Sequence, residues 1–80
     1  MTREEKVKQL IIKVGEGKIT EDMITLDADL NKDLGLDSLA MVELLVMTED
    51  AFGIQASKDD AQAAGTLRLT LAYLDKYLEA

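Results

Sequence analysis

The sequence predicts an all-α protein, a four-helix bundle with a short third helix and a long loop between helices one and two. Apolar residues recur at three- and four-residue spacing in separate stretches, glycines punctuate those stretches, and no run alternates with the two-residue period of a half-buried strand. Eighty residues suit one domain spanning 1–80, with too little interior for two cores.

The first helix opens on Thr2 and Glu5, a capping-box pattern that satisfies orphan amide donors. Val7, Leu10, Ile11 and Val14 follow on one face, with Lys6, Lys8 and Lys13 on the other, and Gly15 and Gly17 end the helix. From Lys18 to Asp37 no period persists. Ile19, Met23, Ile24, Leu26, Leu30 and Leu34 are spread among aspartates there, and they are expected to pin the loop across the helices, with a short helical turn near Glu21. So long a connection in a compact chain points to function.

Asp37 and Ser38 begin the second helix, which runs to about Phe52 before Gly53. At about 100° per residue, Met41, Leu44, Leu45, Thr48 and Phe52 share a face assigned to the core. Leu39, Glu43, Val46 and Asp50 lie opposite. That face would be wholly polar on a simple surface helix, but here it alternates aliphatic groups with carboxylates, as suits docking with a basic, partly apolar partner. Ser57 and Asp60 repeat the cap pattern before a short helix through Ala64. After Gly65, Thr66 caps a last helix on which Leu67, Leu71, Leu74 and Leu78 share one face, flanked by Tyr73 and Tyr77.

Composition narrows the function. The net charge of −7 disfavours nucleic acid and anionic membranes and favours partners with basic patches. With neither Cys nor His, disulfides, thiolate metal sites, thiol nucleophiles and imidazole bases are excluded. No long apolar run or charged leader is present, which leads to an expectation of a cytoplasmic protein without stable membrane insertion. No acid, base and nucleophile set converges, so the chain reads as a binding or carrier module rather than an enzyme. The core is nearly free of aromatics, and flexible aliphatic side chains of this kind can repack around an alkyl chain.

The most informative stretch is Asp33-Leu34-Gly35-Leu36-Asp37-Ser38-Leu39. Asp-Ser-Leu alone arises about once in a few thousand positions at average composition, and Ser38 by itself would read as a helix cap. Here the triplet follows a Leu-Gly turn and opens an amphipathic helix midway along an acidic helical chain. In this context the sequence resembles the acyl carrier protein family, of the free-standing, phosphopantetheine-dependent type. Val42-Glu43-Leu44, Glu49-Asp50, Phe52, Asp59-Asp60-Ala61, Thr66 and Ala72-Tyr73-Leu74 continue the likeness, which covers about Leu30 to Leu78. Helices at both ends add an expectation of a free-standing protein, and a monomer is expected.

The resemblance implies that Ser38 carries a 4′-phosphopantetheine arm, joined as a phosphodiester by a phosphopantetheinyl transferase that uses coenzyme A and a divalent metal. Acyl intermediates would ride on the arm's thiol, which accounts for the missing Cys. Asp37, Leu39, Glu43, Val46 and Asp50 would face partners, namely the transferase and synthase, reductase, dehydratase or acyltransferase enzymes with basic docking patches. Met41, Leu44, Leu45 and Leu67 are the candidate lining for an acyl chain. Fatty acid or related lipid biosynthesis is the expected setting. Departures from the fatty-acid type are Leu36 in place of a small residue, Ala40 in place of an acidic one, and Ala56-Ser57 in place of Ile-Pro. They admit a dedicated carrier for polyketide or other specialised acyl biosynthesis as the alternative; a helical interaction module without prosthetic group would leave the Asp37-Ser38-Leu39 context as coincidence.

Asp27, Asp29 and Asn31 fit the first, third and fifth positions of a calcium loop, but Lys32 stands where its Gly is needed and Ser38 where its Glu is needed. No dedicated metal site is expected. The crowding of Asp27, Asp29, Asp33 and Asp37 does predict a fold that responds to salt and divalent ions.

Overall fold

The computed structural model of the chain describes residues 2–56, 59 and 64–78. Helix α1 spans Arg3–Val14, α2 spans Ser38–Phe52 and α3 spans Leu67–Leu78, with a 3-10 turn at Glu21–Met23 in the long connection between α1 and α2. The all-α class, the long loop and the turn near Glu21 match the sequence reading. The short helix expected from Ser57 through Ala64 falls, except for Asp59 and Ala64, outside the described residues. Among the described residues the only β pairing outside a strand is an isolated antiparallel bridge between Asp29 and Thr66.

Each helix starts as its sequence dictates. Thr2 and Glu5 form the full capping box of α1: the Thr2 hydroxyl accepts from the Glu5 N–H at 3.1 Å while the Glu5 side chain accepts from the Thr2 backbone. Thr66 Oγ1 accepts from the Leu69 N–H at 3.2 Å at the head of α3. Gly53 ends α2 in the left-handed conformation, φ 67°. Gly15 works differently. Its φ is ordinary, but a Cβ there would lie 2.7 Å from Ile19 Cδ1, so the turn leaving α1 needs glycine for space. The left-handed positions of that turn are Gly17 and, at φ 53°, Glu16.

Helix α1 is the shared neighbour of the bundle, packing against both α2 and α3, which meet each other less extensively. Val7, Ile11 and Val14 from α1 meet Leu44 from α2 and Leu67, Tyr73 and Leu74 from α3. The loop contributes Ile19, Ile24, Leu30, Leu34 and Leu36 to the same core. Arg3 pairs with Asp75 across α1 and α3.

Two core assignments shift. On α3, Thr70 and Tyr73 are buried while Leu71 and Leu78 are only partly so, which rotates the inner face toward Tyr73. Thr70 is accommodated because its hydroxyl donates to the Thr66 carbonyl at 2.9 Å. On α2, Leu44 and Thr48 are buried, but Met41, Leu45 and Phe52 are half-buried. Phe52 sits near the helix end with Lys6 Nζ 5.8 Å from its ring centroid, so it borders the core and solvent together. No helix among the described residues is long and apolar enough to cross a membrane.

Candidate functional site

The head of α2 is held by the turn before it. Asn31 Nδ2 donates to the Leu36 carbonyl at 2.6 Å, and the Leu36 N–H donates to the Leu30 carbonyl at 3.0 Å. Leu36, which departs from the small residue usual in the resembled family, is 4% exposed and anchors the chain just before the helix. Asp37 is the N-cap, its Oδ1 accepting from the Ala40 N–H at 2.8 Å. Ser38 is thus the first helical residue and not the cap. Its side chain is exposed, and among the described residues its hydroxyl has no hydrogen-bond partner. Asp37 does the structural work for which Ser38 was the rival candidate. An anion carried on Ser38 would lie beside first-turn N–H groups, an interaction worth about 0.3–1 kcal/mol. The residues present therefore fit a phosphodiester.

Along the outer face of α2, Leu39 is 68% exposed and Val46 is 49% exposed, with Glu43 and Asp50 exposed between and beyond them. Val42 joins them at 56% exposure. The sequence reading missed it, although Leu39, Val42 and Val46 form an i, i+3, i+7 series that could have revealed it. Glu49 is drawn the other way: half-buried, it accepts from the Ala56 N–H at 2.9 Å and fixes the chain leaving α2.

Among the described residues, two hollows flank α2. A crevice of about 20 Å³ between α2 and α3 is lined by Met41, Leu44, Leu45, Thr48, Ala64, Thr70 and Tyr73. It has room for about one water. Leu67 lies deeper, 1% exposed in the core, and does not border it. On the other side, a cleft of about 190 Å³ runs from Val14–Ile19 to the first two turns of α2.

The aspartates of the long loop are turn and pairing groups. Asp29 Oδ1 accepts from the N–H groups of Asn31 at 2.9 Å and Lys32 at 2.8 Å. Asp33 Oδ2 accepts from the Asp29 N–H at 2.8 Å. Asp27 holds Arg68 through Nε at 2.8 Å and Nη2 at 3.2 Å. The Lys32 N–H holds the Asp29 carboxyl below the ordinary carboxylate range, as the Arg68 guanidinium does for Asp27 and the Thr20 hydroxyl for Asp22. Asp27 thus has a guanidinium partner, while Asp29, Asp33 and Asp37 accept from backbone N–H groups, which do not cancel a carboxylate's charge, so the response to salt and divalent ions expected of the four remains to be measured. Among the described residues no group of three acidic side chains is placed to hold a metal ion.

Comparison with known proteins agrees with this geometry. Residues 5–74 match the family model described as the phosphopantetheine attachment site. An acyl carrier protein of Desulforapulum autotrophicum is 42% identical over 76 residues, covering 95% of this chain and 97% of that protein. In structure, the chain is similar to the acyl carrier protein of Enterococcus faecalis, with a TM-score of 0.74 and 28% identity over 95% of this chain and 98% of that one. The chain belongs to the acyl carrier protein family, non-catalytic carriers with a phosphopantetheine attachment site.

Proposed function

We propose that Ser38 is the attachment residue, and that residues 1–80 act as one carrier domain presenting acyl thioesters to partner enzymes. The single observation that carries this is the exposed Ser38 hydroxyl at the head of α2, left unengaged because Asp37 caps the helix. In attachment, Ser38 Oγ displaces the adenosine bisphosphate half of coenzyme A at phosphorus, and its proton passes to a base of the transferase. When bound, the arm supplies the thiol on which acyl groups are held. Helix α2 fixes the point of attachment, and its first-turn N–H groups favour the phosphodiester charge.

Asp37, Leu39, Glu43, Val46 and Asp50, with Val42 added, form the proposed docking face. Aliphatic groups there are ready for burial, and carboxylates steer basic partners: the transferase and the synthase, reductase, dehydratase or acyltransferase enzymes of the pathway. Met41, Leu44 and Leu45 border the proposed route for an acyl chain between α2 and α3, with Leu67 beneath. The crevice is too small for a chain as it stands, so loading would displace the half-buried Met41 and Leu45. The proposed setting is fatty acid or related lipid biosynthesis in the cytoplasm, with the protein acting as a monomer. A dedicated carrier for polyketide or other specialised acyl biosynthesis is the second reading, favoured by Ala40, which leaves no charge in the turn after Ser38.

Incubation with coenzyme A, magnesium and a broad-specificity phosphopantetheinyl transferase tests the attachment. Intact mass is expected to rise by one phosphopantetheine for the native chain and not at all for Ser38→Ala. Addition to another serine, or none where a control carrier is converted, overturns it.

A further inference from the structure

The cleft of about 190 Å³ lies on the flank of α2 turned away from Ser38. Its wall and floor are Val14, Ile19, Leu34 and Leu36, all buried core residues, joined by Ala40. Three acidic residues, Glu16, Asp37 and Glu43, line it with one basic residue, Lys18, and all four are exposed. Among the described residues the side chains of Glu16, Glu43 and Lys18 make no hydrogen bond or ion pair.

We propose that this cleft is a socket for one arginine side chain of a partner enzyme, a proposal that rests on the chain docking as a carrier. An aliphatic stem would lie on the Ile19–Leu36 floor, and the guanidinium would meet the carboxylates of Glu16 and Glu43 at the rim.

The alternatives fit less well. An alkyl side chain would cover the floor but strip water from carboxylates without compensating them. A divalent cation lacks a converging acidic set, as noted above. The carrier's own arm starts on the wrong side: at about 100° per residue Ser38 points about 150° from the middle of Leu39, Ala40 and Glu43, and its phosphodiester would meet a negative rim. Arginine suits the cleft better than lysine, since its planar, weakly hydrated cation can rest on apolar surface while bonding two carboxylates.

The test is an NMR titration of the ¹⁵N-labelled full chain with N-acetylarginine methylamide at low ionic strength. Saturable amide shifts are expected at Gly15, Lys18, Leu39, Ala40 and Glu43, with a Kd of about 1–10 mM. Glu16→Gln is expected to weaken binding about two- to five-fold and Lys18→Met to strengthen it to a similar degree. The norleucine analogue, with a stem but no charge, is expected to bind more weakly than the arginine probe, and the lysine analogue to fall between them. No saturable shift up to about 50 mM, a response spread over Asp27, Asp29 and Asp33 instead, or an equal response to the lysine analogue overturns the socket. Ser38 modification, read by mass on the same samples, separates the outcomes. A chain that is modified but does not bind the probe loses the socket alone, and one that is never modified loses the carrier reading.

Discussion

The loop from Gly15 to Asp37 and the helix that follows it divide their work against intuition. The irregular loop is the more deeply built of the two. Ile19, Ile24, Leu30, Leu34 and Leu36 are buried in the core, and the loop is tied to the segment entering α3 by the Leu30 N–H on the Gly65 carbonyl and to α3 itself by the Arg68 N–H on the Leu26 carbonyl and the Asp27–Arg68 pair. Helix α2, the longest regular element described, has only Leu44 and Thr48 fully buried and leaves Leu39, Val42 and Val46 to solvent. A helix bonds its own backbone and needs little from its neighbours; a loop must find partners or burial for every segment. The loop is therefore the fastener, and the helix is free to be a surface.

The sharpest way to break this comparison is to truncate one aliphatic residue in each region. Leu30→Ala is expected to cost about 2–5 kcal/mol, the range for a fully buried leucine. Leu39→Ala on the outer face is expected to stay within about 0.5 kcal/mol of the parent. Urea unfolding of both variants measures the difference, and equal losses would dissolve the distinction.

A smaller effect is expected at the far end of α2. Phe52→Ala would cost about 3–5 kcal/mol if the ring were core. Because it is half-buried beneath Lys6, the expected loss is about 1–2 kcal/mol, read from the same unfolding curves.

Acid probes the loop. Asp22, Asp27 and Asp29 have depressed carboxyl pKa values in the folded chain. Their contribution is therefore present above the unfolded value of about 3.9 and is lost as pH falls below it through the folded values. Thermal midpoints are expected to hold from pH 7 to about 5 and to decline below about pH 4. Asp29→Asn is expected to lower the neutral midpoint slightly and flatten the decline.

The smallest changes in stability accompany clear changes in docking kinetics. Glu43→Lys is expected to slow association with the transferase and weaken its salt dependence, while Leu39→Ala chiefly speeds dissociation. With Ala40 uncharged, steering is expected to be weaker than in carriers with an acidic residue there. Stopped-flow binding at two salt concentrations checks both variants; unaltered rates with Ser38 still modified would move the docking surface elsewhere.

Much of this was legible in the sequence because local rules govern it. Capping boxes, glycine stops and helical periodicity located α1, α2 and α3, and the context of Asp37-Ser38-Leu39 singled out the serine. Other features depend on contacts between distant segments. The burial of Leu36, the pairing of Asp27 with Arg68 forty-one positions away, and the choice of Tyr73 over Leu71 for the interior of α3 follow from how the loop crosses the bundle. Periodicity in one element does not encode that crossing. The cleft beside Leu39 was missed for the same reason: its walls come from two separate stretches of chain.

The cap on α2 bears on the working life of the protein. Asp37, not Ser38, secures the first turn, so a group can be esterified onto the serine hydroxyl and removed again without disturbing the bonds that begin the helix. On the proposed attachment, the favourable interaction of the phosphodiester with the first-turn N–H groups would add to the Asp37 cap rather than compete with it. Each round of charging would then leave the start of α2 as secure as it found it.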